Sequence, residues 1–149
     1  MAKQSPLPIF VRLGNLLTTP LLRAGIKLVG FGNYPMYLLT VRGRKSGQPR
    51  TVAIALIEQN GKRYIGSPFG LVDWVRNLRA AGEATLTRGR RSEIVKAREL
   101  PRHEAARLLQ ENFKRGNPFA HYFGVTPESS LADFERAMAS HPVFLLEGK

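Results

Sequence analysis

The chain has 149 residues, 43% of them hydrophobic and 23% charged, the composition of one ordinary globular domain with a real core. It has no cysteine, which excludes disulfides, thiolate metal sites and cysteine nucleophiles together. The net charge of +12 asks for an acidic partner: a polyanionic ligand, an anionic membrane surface or nucleic acid.

Residues 1–8 lack the pattern of a signal peptide, and no apolar run reaches the roughly 18 residues that span a bilayer, so the expected location is cytoplasmic. Residues 9–29 carry Ile9, Phe10, Leu13, Leu16, Leu17, Leu21, Leu22, Ile26 and Leu28 with Arg12, Arg23 and Lys27 among them. This spacing predicts an amphipathic helix, bent near Thr19-Pro20. Such a helix packs over the open end of a barrel or lies on an anionic surface, here the inner face of the membrane. Gly30-Phe31-Gly32-Asn33 ends it, setting residues 1–33 apart from a domain at 34–149.

Two short runs rich in β-branched and aromatic residues, 36–41 and 51–57, predict strands. Between them Gly43-Arg44-Lys45-Ser46-Gly47-Gln48-Pro49-Arg50 predicts a turn. The resulting hairpin tip offers Arg44, Lys45 and Arg50 beside a hydroxyl and exposed amides, a set suited to phosphate or carboxylate. It is not a P-loop, because Lys-Ser precedes Gly and no helix follows. A solvated, merely charged tip is the plainer alternative.

Asn60-Gly61 predicts a tight turn joining a strand at 51–58 to one at 63–67. After the loop Pro68-Phe69-Gly70, Leu71, Trp74, Val75 and Leu78 fall on one helical face, with Asp73 in the first turn and Ala81-Gly82 at the end. Strands at 84–87 and 92–98 turn at Arg88-Gly89-Arg90-Arg91. Pro101 opens a helix that buries Ala105, Ala106, Leu108, Leu109 and Phe113, and Gly116-Asn117-Pro118 stops it. An aromatic cluster at 119–123, a short helix around 131–139 and a strand at 143–146 complete the chain. Strands joined mostly by hairpins, with helices inserted, predict a mainly β, α+β fold: an antiparallel barrel with helices packed around it.

His103, His121 and His141 have no metal-ligand spacing, Ser46 has no neighbouring histidine, and Asp73 stands alone. No metal site and no catalytic side chain are therefore nominated. That pattern suits an enzyme whose cofactor carries the chemistry while the protein positions it.

The run from Leu38 to Arg50 resembles the signature of the deazaflavin-dependent nitroreductase family, split β-barrel oxidoreductases related to the FMN-binding split barrels. Asp73-Trp74-Val75-Arg76-Asn77-Leu78 resembles that family's Trp-x-x-Asn-Leu helix start. The resemblance extends over residues 34–98, with a matching strand at 143–146. It implies that Arg44, Lys45, Ser46 and Arg50 hold the phosphate and acidic tail of coenzyme F420. It places Thr51, Val52, Ala53, Ile54 and Ala55 beneath the ring system, contacting it through backbone amides. Gly66 and Ser67 would approach the cofactor, Trp74 and Asn77 would lie beside it, and Phe119 and Tyr122 would contact substrate. The implied activity is hydride transfer from reduced deazaflavin to a quinone, nitro or enone compound, in a protein that can form a homodimer.

Where members of that family carry a lysine in a Gly-rich loop, this chain reads Ser67-Pro68-Phe69-Gly70, one cation fewer. FMN or a lipid carboxylate is accordingly the alternative occupant, the latter in a membrane-associated lipid-binding barrel. Nucleic acid is not expected, because the basic residues are scattered and no nucleic-acid-binding motif is present.

Overall fold

The computed structural model describes residues 34–149. The expected N-terminal helix at 9–29, and with it the division at residue 33, lie outside the described residues. Seven strands form one antiparallel sheet: β1 (Met36–Arg42), β2 (Pro49–Ala55), β3 (Ile57–Gln59), β4 (Lys62–Gly66), β5 (Glu83–Arg88), β6 (Arg91–Glu99) and β7 (Val143–Gly148). With them are three helices, α1 (Asp73–Ala81), α2 (Arg102–Lys114) and α3 (Leu131–Met138), and a 3-10 turn at Ala120–Phe123.

The strand order is β2-β1-β5-β6-β7-β4-β3. Its two outer strands, β2 and β3, are consecutive in the chain, with Leu56 alone between them. One stretch of chain thus serves both edges, and the sheet must curl until those edges meet. This is the half-barrel form of the expected split barrel. Leu56, fully buried, marks the bend, and its N–H donates to the Pro35 carbonyl at 2.9 Å. The sequence predicts a single strand over 51–58. The structure breaks it, because apolar residues continue across the bend and conceal it.

Each hairpin turns where its glycine permits. Asn60 and Gly61 both have positive φ, 55° and 74°, as a type I′ turn requires, and Gln59 pairs with Lys62 across them. Arg88 pairs with Arg91 across Gly89-Arg90, and Arg42 with Pro49 at the base of the basic tip.

Alternation along the strands divides the apolar residues into two main layers. Leu39, Val41, Ile54, Ile65, Leu86, Val95, Phe144 and Leu146 face the barrel interior. Helix α1 closes that interior by adding Val75 and Leu78. It ends at Gly82, a left-handed residue whose N–H returns to the Leu78 carbonyl at 2.8 Å. Arg79 pins it to β6 through two bonds to Glu99, at 2.6 and 3.0 Å.

Val143 and Leu145 face outward and, with Tyr64, pack under α2 and α3. Strand β7 is therefore buried on both faces, which is why Val143-Phe144-Leu145-Leu146 reads as an unbroken apolar run. In the outer layer Phe113 meets Phe123 and Phe134 edge-on, each pair at 5.4 Å. A capping box between Ser130 and Asp133 starts α3.

Phe134 is fully buried, so Phe134→Ala leaves a void against Phe113. A loss of about 3–5 kcal/mol is expected in denaturant unfolding. A loss below about 1 kcal/mol would show that α3 is not part of the cooperative core.

Candidate functional site

The basic tip closes through Gly43, whose N–H donates to the Gln48 carbonyl at 2.8 Å and whose carbonyl accepts from Gly47 at 2.9 Å. Gly43 admits no side chain: a Cβ there would lie 2.9 Å from Ser46 Oγ and 3.1 Å from the Gln48 carbonyl. Ser46 Oγ accepts from the Gln48 N–H at 3.1 Å. The hydroxyl expected to meet a ligand thus also shapes the turn.

Arg44 differs from the other cations of the tip. Its backbone N–H donates to Asn77 Oδ1 at 3.1 Å and its guanidinium to the same oxygen at 2.8 Å. A third bond runs from Nη2 to Asp73 Oδ1 at 3.3 Å. Asn77 sits among the apolar residues of α1, 5% exposed. A buried amide left without partners is costly, and this one spends its oxygen on Arg44. Among the described residues Arg42, Lys45 and Arg50 make no ion pair.

One side of the tip borders an open groove of about 900 Å³. The tip, Thr40 and Arg42 of β1, the end of α1 at Ala80-Ala81, Glu83 to Thr85 of β5 and Ile94 of β6 line it. Glu83 is its one acidic lining residue and is held by Lys149 at 2.7 Å. That hydrogen bond, with the ammonium charge, moves the Glu83 carboxyl below its ordinary pKa. The Arg42 charge also acts on Glu83, which leaves Lys45 as the groove's uncompensated charge. Arg42 was not singled out in the sequence because it ends a strand, but its place beside the glycine that opens the turn was a usable signal.

Of the residues implied by resemblance, Arg44, Lys45 and Ser46 line this groove, and Asn77 supports them from behind. Arg50, second in β2 after Pro49, is on the exposed rim, followed by Thr51, Val52, Ala53, Ile54 and Ala55. β2 ends the strand order, so among the described residues its outer edge pairs with no strand and its backbone groups can meet a ligand. Val52 and Ile54 face the barrel interior. Thr51 shares a 2.9 Å hydrogen bond with Thr40, and Ala53 packs on Leu38 across the opposite face. Trp74 is half-buried, its ring 6.2 Å from Phe144.

Gly66 and Ser67 lie in a second region, away from the groove. A Cβ on Gly66 would come within 3.3 Å of Phe123 Cζ. Ser67 is buried; its N–H donates to the Pro142 carbonyl at 3.1 Å and its hydroxyl to the Gly70 carbonyl. Its own carbonyl accepts from His141 Nδ1 at 2.9 Å. The loop 67–70 is thereby clasped to the turn before β7, and it carries Phe69 to Tyr122 at 4.8 Å and to Phe119 at 6.2 Å. The structure thus joins Ser67, through its loop, to the two aromatics named for substrate. The His141 clasp was not legible, because its partners are 74 residues apart.

Among the described residues no group of three or more histidines and carboxylates is placed to hold a metal, and no helix is long and apolar enough to cross a membrane.

A protein-family model described as F420H(2)-dependent quinone reductase matches residues 16–127, about three quarters of the chain. Among solved structures, an F420-H2 dependent reductase (FDR-A) is 25% identical, with TM-score 0.54 over 76% of this chain and 94% of that one. A chain described as a domain-swapped dimer is 22% identical, with TM-score 0.55 over 93% and 98%. A pyridoxamine 5′-phosphate oxidase-like chain from Listeria innocua, 12% identical with TM-score 0.51 over 76% and 83%, shares the fold. No curated protein matches.

Desolvation lowers the pKa of His141, more than its bond to Ser67 raises it. The folded state therefore binds fewer protons at this ring than the unfolded chain does around pH 6.5, and stability should fall as pH drops through that region. His141→Asn, which keeps a donor for Ser67, is expected to flatten this part of the curve in melting temperatures taken from pH 7.5 to 5.5 (about one unit either side of the free value). Parallel curves for the two proteins would refute the assignment.

Proposed function

The chain belongs to the F420H(2)-dependent quinone reductase family, and from that premise we propose that its basic hairpin holds the phosphate and acidic tail of coenzyme F420 while a quinone-type acceptor is reduced beside Phe69, Phe119 and Tyr122. It is an F420-dependent reductase. The family match supports the deazaflavin coenzyme over FMN or a lipid carboxylate.

The observation that carries the reading is the division of labour at the tip. Arg44 is committed to Asn77 and Asp73, whereas Lys45 and Arg50 make no ion pair among the described residues. The bond to Asn77 satisfies a buried amide and at the same time holds the tip in one shape. The pinning fixes the backbone from which Lys45 and Ser46 project, and a preorganised cation site binds an anion with less ordering cost. The donor set fits a ligand carrying several negative charges: Lys45 and Arg50 at the tip for a phosphate, with Arg42 along the groove for carboxylates. This supplies cationic charge even though the loop 67–70 lacks a lysine.

The reduced coenzyme supplies the hydride. The protein's part is to bind, orient and exclude water. The edge of β2 offers backbone donors and acceptors to a planar polar ring system. The three aromatics give the acceptor an apolar wall and keep water from the transfer.

Titration with F420, followed by coenzyme fluorescence, tests the reading. Wild type should bind at micromolar concentration or tighter, about −8 kcal/mol. Lys45→Ala with Arg50→Ala should weaken binding at least about tenfold, with a smaller salt dependence, because fewer charges remain to be screened. Unchanged affinity in the double variant would remove the hairpin from the site.

A further inference from the structure

Phe119 and Tyr122 lie on or beside a 3-10 turn of only four residues, Ala120–Phe123, too short to fix its own position. What precedes it is a polar chain running into the core. Asn117 Oδ1 accepts from the Phe119 N–H at 2.9 Å, and the Asn117 carbonyl accepts from the Ala120 N–H at 3.0 Å. The Asn117 amide then donates to Asn112 Oδ1 at 3.0 Å.

Asn112, on α2, is 3% exposed. The Tyr34 hydroxyl lies 3.3 Å from its Oδ1 and 3.2 Å from the Gly116 carbonyl, so one proton serves two neighbouring acceptors. Asn112 in turn donates to Gln59 Oε1 on β3 at 3.5 Å. Gln59, also 3% exposed, reaches back to α2 at the Leu108 carbonyl, 3.5 Å, and at Glu111, 3.3 Å. The chain therefore starts on the sheet, passes through α2 and ends on the backbone of Phe119.

The apolar layer under α2 already supplies packing, so this chain adds direction rather than burial. Leucine at 59 and 112 would fill comparable space but could not dictate where an aromatic turn begins. Fully connected buried polar groups rigidify what they hold. Here the element held is the one that brings Phe119 and Tyr122 against Phe69.

We infer that Asn112 and Asn117 are positioning residues that set acceptor selectivity, by fixing the turn that carries Phe119 and Tyr122 over the Phe69 loop. The inference rests on the reading above that these aromatics face the acceptor. It requires no contact between either asparagine and the substrate, and none with the hairpin that holds the coenzyme.

The test is steady-state kinetics with a small and a bulky quinone, at saturating reduced F420, for Asn117→Ala, Asn112→Leu and the double variant. Each single change should raise the acceptor KM by about tenfold, more than it lowers kcat, and should alter the ratio of kcat/KM between the two quinones. The double variant should be no worse than the more impaired single one, because both cut the same chain. F420 affinity should stay at the wild-type value, a readout that general unfolding would not spare. Asn117 is at the edge of the core, so Asn117→Ala keeps the test available if Asn112→Leu does not fold. Tyr122→Ala and Phe119→Ala separate the two ways of failing. If they raise acceptor KM while the asparagine variants leave KM and selectivity unchanged, the positioning role is overturned and the aromatic site stands. If the aromatic variants too leave acceptor KM unchanged, the acceptor site itself is misplaced and the inference falls with it.

Discussion

The bend at Leu56 is the constraint from which the rest of the architecture follows. Because β2 and β3 are one stretch of chain yet lie at opposite ends of the strand order, the sheet cannot remain flat. Curling creates an interior, and the interior needs a lid, which α1 supplies with Val75 and Leu78. The lid's next requirement concerns Asn77, between those two residues on the same helix. Once α1 is seated, its amide is buried, and the hairpin tip is close enough to satisfy it. The position of the basic tip is thus a consequence of how the barrel closes, transmitted through one helix.

That route explains why an exposed turn holds its shape. Loops with this much like charge repel themselves, and Arg44, Lys45 and Arg50 lie within seven residues. Arg44 escapes the repulsion by turning toward Asn77 and Asp73. The remaining cations stay crowded, and crowding of like charge is relieved by an anionic ligand. Binding energy at such a tip comes from relief of repulsion as well as from new hydrogen bonds.

The hairpins, the helix faces and the basic tip were legible in the sequence because each depends on local chemistry: turn glycines, apolar spacing and charge density. The family motif at 38–50 added a cofactor class that composition alone did not single out. Three features were not legible, for distinct reasons. The break at Leu56 hides in a continuous apolar run, since residues on both sides of the bend are buried. The commitment of Arg44 to Asn77 spans 33 residues, and nothing in either segment distinguishes Arg44 from Lys45 as the pinned cation. The chain from Gln59 through Asn112 spans 53 residues and consists of amides, which single-sequence reading assigns to surface by default. Polar groups that recognise one another across the fold leave no periodic trace.

The acidic residues complete the electrostatic argument. Six of the protein's 11 carboxylates form ion pairs with Lys or Arg in the described structure, Asp73, Glu83, Glu93, Glu99, Glu111 and Asp133, and Glu135 hydrogen-bonds His103. Several of these are structural ties. Glu99 holds α1 to β6 and Glu93 holds Arg63 of β4, which lowers the Glu93 pKa through that hydrogen bond. Carboxylates spent in this way cannot neutralise the tip, and Glu83, which lines the groove, is claimed by Lys149. The high net charge is therefore not an even coat. It concentrates wherever acids have been assigned elsewhere, and the rim formed by Lys45 and Arg50 is one such place. An enzyme that relies on a polyanionic coenzyme for its chemistry needs that imbalance more than it needs an acid or base of its own.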